Sequence, residues 1–264
     1  TLHAVPDMTS FPDDLLEAVS VSPVYQADLS LAEKYACPGP RYTSYPTAPQ
    51  FHQDFQRDQY YNWQNSDGDH KSAPLSLYVH LPFCNDICYY CACNKIVTRE
   101  KNAARDYLRR LHTEIDMQSR LVGKNRPVTQ MHWGGGTPTY LNKEQISRLN
   151  GMLRQHFNFL PSAEVSIEID PREIELDILD HLKSEGFNRM SMGVQDFNKE
   201  VQKLVNREQD EEFIFALINR AKALGFSSTN IDLIYGLPKQ TPESFAFTLK
   251  RVAELAPDRL SVFN

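Results

Sequence analysis

Three cysteines are the residues best suited to chemistry in this chain: Cys84, Cys88 and Cys91, spaced C-x3-C-x2-C. They lie in the segment Pro82-Phe83-Cys84-Asn85-Asp86-Ile87-Cys88-Tyr89-Tyr90-Cys91-Ala92-Cys93, directly after an apolar run. Cysteine thiolates hold iron–sulfur clusters, and their spacing indicates the cluster type. Three close thiolates can hold three irons of a [4Fe–4S] cube and leave the fourth iron open. An open iron can bind a small molecule and pass it an electron. A disulfide framework does not suit cysteines so crowded in a chain without a secretory leader. Structural zinc on Cys84, Cys88, Cys91 and Cys93 is the competing reading, although zinc modules usually join two ligand pairs from separate turns. Cys37 stands apart beside Pro38-Gly39-Pro40 and reads as an ordinary thiol.

Further along, His132-Trp133-Gly134-Gly135-Gly136-Thr137-Pro138-Thr139 forms a glycine-rich turn at the end of a strand-like run. Glycines let the backbone approach a ligand and adopt positive φ, and α/β sheets bind ligands at the carboxyl ends of their strands. No Gly-Lys-Ser/Thr follows, so this is not a phosphate loop. Glu168 and Asp232 are carboxylates inside apolar runs, where each needs a partner or a ligand. Ion pairs with Arg189 or Arg207 are one solution, and a bound ligand's hydroxyl or ammonium groups are the other. Arg207 could clamp a carboxylate bidentately or sit as a solvated charge at a helix start.

These residues depend on a repeating frame. Apolar runs at 75–81, 128–133, 165–170, 189–195, 229–235 and 259–263 alternate with helical patterns at about 103–121, 143–157, 175–185, 209–224 and 242–255. Such alternation indicates βαβ units and a parallel sheet. Six strands are too few for a closed eight-stranded barrel, so an α/β partial barrel is expected. Within the runs, side chains alternate between faces. Leu75, Leu77, Val79 and Leu81 oppose Ser76, Tyr78 and His80. Val165, Ile167 and Ile169 oppose Ser166, Glu168 and Asp170. Met190, Met192 and Val194 oppose Ser191, Gly193 and Gln195, and Ile231, Leu233 and Tyr235 oppose Asn230 and Asp232. Parallel sheets are normally covered on both faces, so the polar face is expected to line a wet or ligand-filled cavity. Residues 1–70 read as an irregular extension with one helix near 29–35, and 71–264 as the core domain.

Composition agrees with an enzyme. The 264 residues suffice for a sizeable core, and the net charge of −6 gives no nucleic-acid footprint. No apolar stretch approaches the ~18 residues of a membrane helix. The chain opens Thr1-Leu2-His3, with neither an initiator methionine nor a basic-then-apolar leader, so a cytoplasmic setting is expected.

The cysteine spacing, with Tyr90 just before the third cysteine, resembles the signature of the radical S-adenosylmethionine (SAM) superfamily. Further segments narrow the likeness: 41–48 (Arg-Tyr-Thr-Ser-Tyr-Pro-Thr-Ala), 91–99, Gly134 to Thr139, Glu168-Ile169-Asp170-Pro171-Arg172, Gly193-Val194-Gln195-Asp196-Phe197 and Asp232-Leu233-Ile234-Tyr235-Gly236-Leu237-Pro238. From about residue 22 to the last residue the chain resembles the oxygen-independent coproporphyrinogen III oxidase family. The resemblance implies a partial (β/α)6 TIM-like barrel of the radical SAM type. It implies a [4Fe–4S] cluster, two molecules of S-adenosylmethionine and the substrate coproporphyrinogen III, two of whose propionates become vinyl groups. The electron donor is unidentified, and neither nucleic acid nor membrane is a partner. Cleavage of the cofactor's sulfonium would yield a 5'-deoxyadenosyl radical that takes hydrogen from the propionate β-carbon. By this resemblance Cys84, Cys88 and Cys91 ligate iron, while Cys93 does not. Tyr78, Gly135 and Glu168 contact the first cofactor, and Tyr90, Gly136, Thr137, Gln195, Arg207 and Asp232 the second. Arg41 is the candidate for a substrate propionate.

Departures from the family pattern are Asn85-Asp86 after the first cysteine, where a more basic or neutral pair is expected, and Cys37 at a serine-like position. The chain stops on the sixth strand where family members continue through another helix and a helical domain, so a fragment truncated after that strand is expected, one inactive alone, from a protein expected to be a monomer when full length. A related haem chaperone shares the cluster loop and glycine turn, but Cys93-Asn94-Lys95 and the 41–48 segment favour the oxidase.

Overall fold

The computed structural model describes residues 28–35, 47–123 and 125–264; Cys37, Arg41 and all but the end of the 41–48 segment lie outside the described residues. The chain divides into two compact units between Tyr60 and Tyr61. In the first, the helix Leu29–Tyr35 lies where it was expected. Asp28 starts it by accepting from the amides of Ser30 and Leu31 at 3.0 and 3.3 Å. A second helix, Arg57–Asn65, corrects the reading of residues 1–70 as otherwise irregular. It buries no residue, and its large side chains Tyr60, Tyr61 and Trp63 bunch over one turn among polar residues, so it carries no sustained apolar periodicity to read.

The second unit holds six parallel strands: β1 (Leu75–Leu81), β4 (Pro127–Gly135), β5 (Asn158–Ile169), β6 (Arg189–Gln195), β7 (Ser228–Ile234) and β8 (Arg259–Phe263). They stand in chain order, as successive right-handed βαβ units produce. A short parallel pair, β2 (Phe83–Cys84) and β3 (Ile96–Val97), brackets the cysteine loop. Helices Ala103–Val122, Lys143–His156, Ile178–Ser184, Glu211–Ala223 and Pro242–Leu255 follow successive strands. Their starts are well specified: Asn142 and Thr241 each close a capping box with the residue three positions on.

The strand faces sort as the alternation predicts. Val79, Trp133, Ile167, Met192 and Ile231 form one core with helix residues Ile146, Leu149, Leu182, Leu217 and Ile218. The opposite face is polar and surrounds a cavity of about 700 Å³. Register aligns Tyr78, His132 and Ser166 across β1, β4 and β5, and Glu168, Ser191 and Asn230 across β5, β6 and β7.

Four local readings are corrected. β5 begins at Asn158, not 165; a register shift opposite Val128 to Gln130 takes up the intervening residues, including Pro161, which has no N–H for a ladder. The 175–185 helix shortens to Ile178–Ser184, because residues 176–177 form a turn ahead of it. An extra helix, Lys199–Leu204, precedes Glu211–Ala223. Tyr235 lies beyond the end of β7 and is exposed, not packed with Ile231 and Leu233.

Candidate functional site

The cysteine loop is fastened at both ends and in the middle. Ile96 N donates to Pro82 O and Thr98 N to Cys84 O, at 2.6 and 2.9 Å, closing the β2–β3 bracket. At mid-loop, Tyr89 N donates to Val205 O (3.0 Å) and Asn206 Nδ2 to Ile87 O (2.6 Å). Cys88 is thus flanked by two backbone anchors and is buried, Cys84 and Cys91 are half-buried, and Cys93 is exposed. The unexpected Asn85-Asp86 pair has partners: Asn85 meets Lys101 and Glu173, and Asp86 pairs with Arg99 at 2.7 Å. Burial pushes the Cys84 thiol up, so iron ligation there would displace a proton. Among the described residues, no three His, Cys, Asp or Glu side chains are grouped as one metal ion would require.

Behind Cys88 stand two guanidiniums, that of Arg207, a cofactor-binding candidate, and that of Arg172, which the sequence reading left unassigned. Arg172 Nη2 and Arg207 Nη1 each approach Cys88 Sγ at 3.4 Å. Both also hold Asp170, Arg172 through Nε and Nη2 at 2.9 and 2.6 Å and Arg207 through Nη1 at 3.1 Å. Burial alone would raise the Asp170 pKa, but Arg207 and the Arg172 fork outweigh it and hold the carboxyl at about 2. Arg207 further donates to Gly193 O from Nε and Nη2, at 2.9 and 2.7 Å. It is therefore a buried, fully engaged cation, not a solvated one. Tyr90 lies beside Arg207 and Cys88, and its phenol is raised chiefly by burial.

The glycine turn packs against this loop. Gly136 N donates to Leu81 O at 2.8 Å and Thr137 N to Phe83 O at 2.7 Å. A Cβ on Gly136 would lie 2.7 Å from Phe83 O and 2.9 Å from Cys84 Sγ. Gly135 has φ +120, and its Cβ would meet the Leu81 backbone at 2.9 Å. The turn therefore requires glycine for its contact with the cysteine loop as well as for any ligand. Thr137 Oγ1 lies 3.7 Å from Cys84 Sγ.

On the polar face, Glu168 is partnered by neither Arg189 nor Arg207. Arg189 pairs with Glu164, and Glu168 Oε1 meets His132 Nε2 at 3.0 Å. His132 Nδ1 in turn meets Ser166 Oγ at 2.6 Å, and the exposed Tyr78 ring stacks on His132. Asp232 accepts from Asn230 Nδ2 at 2.8 Å, and burial raises its pKa. Both carboxylates line the cavity. Gln195 departs from the alternation. The ladder shifts between Gly193 and Gln195, and Gln195 takes φ 68, so it sits opposite the core residue Leu233. It is buried there, with Oε1 lacking any hydrogen-bond partner.

The structure therefore gathers Arg207, Tyr90 and Cys88 at one point, Thr137 and Cys84 at a second, and Tyr78 and Glu168 around His132. Sequence reasoning missed Asp170, Arg172, Asn206 and His132. Asp170 and Arg172 lay within a quoted segment, and the charged pair about Pro171 was the available signal.

A sequence profile of the Radical SAM superfamily matches residues 78–252. The chain is similar to the oxygen-independent coproporphyrinogen III oxidase of Escherichia coli (strain K12), at 66% identity over 237 residues covering 90% of this chain and 51% of that protein. The protein of that name from Pseudomonas aeruginosa is 50% identical over 240 residues, covering 90% of this chain and 52% of its own length. A solved Escherichia coli coproporphyrinogen III oxidase, described as a radical SAM enzyme, matches with a TM-score of 0.82 at 64% identity, over 90% of this chain and 52% of that one. The chain spans about half the length of the curated relatives it matches. The three-cysteine loop, the glycine turn and most of the parallel sheet lie inside the profile match, and on that ground the chain belongs to the radical SAM superfamily.

Proposed function

We propose that this chain is the core of an oxygen-independent coproporphyrinogen III oxidase, with 71–264 as catalytic core and 1–70 as a substrate-side extension. Its likeness to bacterial oxidases along nearly the whole chain carries the reading. The substrate is coproporphyrinogen III, two propionates of which leave vinyl groups to give protoporphyrinogen IX. The electron donor is a separate reductant, the full-length protein acts as a monomer, and its place is the cytoplasm, where free thiols stay reduced. Among the described residues no helix is long and apolar enough to cross a membrane.

The residues present fit the groups this reading needs. Cys84, Cys88 and Cys91 would hold a [4Fe–4S] cluster, from a loop whose central sulfur faces two guanidiniums. Tyr78, Gly135 and Glu168 would hold a first S-adenosylmethionine, and Tyr90, Gly136, Thr137, Gln195, Arg207 and Asp232 a second. When bound, the cluster supplies the electron that splits the cofactor's sulfonium. The chain itself binds and orients. Glu168 accepts hydrogen bonds from a ligand's hydroxyl or ammonium groups while His132 fixes its carboxylate. Gln195 Oε1 offers a buried acceptor without a protein donor, which a ligand N–H or O–H would satisfy. Asp232, held by Asn230 and lining the cavity, offers carboxylate oxygens that accept from a ligand's hydroxyl groups. The test is anaerobic loading with iron and sulfide, then dithionite and S-adenosylmethionine. The proposal expects brown protein and release of 5'-deoxyadenosine; a loaded protein that leaves the cofactor intact would contradict it.

A further inference from the structure

Cys88 differs from Cys84 in what faces its sulfur. Cys84 Sγ meets a neutral hydroxyl, that of Thr137, at 3.7 Å. Cys88 Sγ has two cationic N–H donors at 3.4 Å, from Arg172 and from Arg207. Neither donor is free to swing away. Asp170, an acceptor-only group when ionised, grips both guanidiniums from behind. Arg207 is tied to Gly193 O at 2.7 Å, and Arg172 Nη1 to Asn206 O at 3.1 Å. Asn206 takes φ 54 and spends its side-chain amide on Ile87 O, one residue before Cys88. Val205 O accepts from Tyr89 N, one residue after it. One short segment, 205–207, thus fixes the backbone on both sides of Cys88 while supplying a donor to its sulfur. Asp170, Arg207 and Cys88 are all buried, so their charges are weakly screened by water.

We propose that Arg172 and Arg207, aligned by Asp170, are positioning residues that donate hydrogen bonds to the Cys88 sulfur as it ligates iron and thereby raise the reduction potential of the cluster. The inference rests on the reading of Cys84, Cys88 and Cys91 as iron ligands. Hydrogen bonds to the ligand sulfurs and nearby charge are among the terms that set cluster potentials, and outer partners of a ligand tune the metal it holds. Reduction adds a negative charge to the cluster, so fixed cations at one sulfur stabilise the reduced form more than the oxidised one. Arg172 is the cleaner probe, because Arg207 is also a cofactor-binding candidate.

The experiment is a redox titration, followed by electron paramagnetic resonance, of the full chain loaded anaerobically with iron and sulfide. Arg172→Gln should keep full iron content while its reduction equilibrium falls about tenfold, about 59 mV for one electron. A wild-type midpoint in that variant at full iron content overturns the inference. Should Arg172→Gln fail to fold or to load iron, Arg172→Lys decides: a smaller fall of the same sign supports the inference, since a point charge lacks the fork that spans Asp170 and sulfur. An unchanged Lys midpoint, or failure of both variants to load, overturns it and leaves the pair a folding element. A wild-type protein that binds no iron is a separate outcome, and sinks the cluster reading itself.

Discussion

Asp170→Asn removes one charge from the buried network while keeping its shape. The asparagine oxygen can still accept from Arg172 N, as Asp170 Oδ1 does at 3.1 Å, so the turn at Pro171–Glu173 should survive. What goes is the anion between two guanidiniums. A carboxyl held at about 2, where an ordinary aspartate titrates at 3.8, is worth about 2 kcal/mol at neutral pH. Removing one partner of a buried ion pair typically costs about 3–5 kcal/mol. Because asparagine keeps the cap, we expect a loss near the lower end, about 2–3 kcal/mol. The sign with pH follows from a folded value below the unfolded one. The stability is fully present well above 3.8 and is lost as pH falls from there towards 2. Urea unfolding of the apo-protein at pH 7 and at stepwise lower pH is the assay, with m unchanged. The gap between wild type and variant should be widest at pH 7 and close on acidification, where protonated Asp170 behaves as asparagine does. A gap below about 0.5 kcal/mol at pH 7, the range of an ordinary surface substitution, or a gap indifferent to pH would refute the reasoning.

Replacing Cys84, Cys88 or Cys91 with Ala should abolish cluster absorbance in the reconstituted protein, while Cys93→Ala should keep it; a Cys93→Ala protein that takes up no iron would remove the three-ligand assignment. Glu168→Ala should leave iron content normal and weaken S-adenosylmethionine binding by about 1.5–3 kcal/mol, the value of a charge-assisted hydrogen bond; calorimetry showing unchanged affinity would count against that role. Gly136→Ala should lower iron loading, because its Cβ would stand 2.9 Å from Cys84 Sγ and 2.7 Å from Phe83 O; normal loading would mean that the loop yields more easily than its contacts suggest.

How much of this was legible in the sequence depends on range. Alternation is a local property, so the strand faces were readable, and Val79, Ile167, Met192 and Ile231 are buried as their parity requires. Parity fails wherever a residue is inserted into the ladder, as it does at Gln195, and no local pattern announces that shift. The helix Lys199–Leu204 is six residues long and buries only Val201 and Gln202, too little for a period to emerge. The two-residue strands β2 and β3 carry no alternation at all, yet they set the cysteine loop. The cysteine spacing and the glycine triplet were plain because their elements are contiguous. The pair around Asp170 was not, since Arg172 and Arg207 reach Cys88 across 84 and 119 residues.

The most direct test is turnover by a full-length protein carrying this core, since the chain spans only about half the length of its relatives: anaerobic protein loaded with iron and sulfide, a low-potential reductant, S-adenosylmethionine and coproporphyrinogen III, with porphyrin products and 5'-deoxyadenosine quantified together by mass spectrometry. The account predicts loss of two carboxyl groups as carbon dioxide, a divinyl product, and 5'-deoxyadenosine formed in step with it. A fully loaded protein that releases 5'-deoxyadenosine yet returns the porphyrinogen with all its propionates would contradict the proposed reaction, even with the superfamily membership intact.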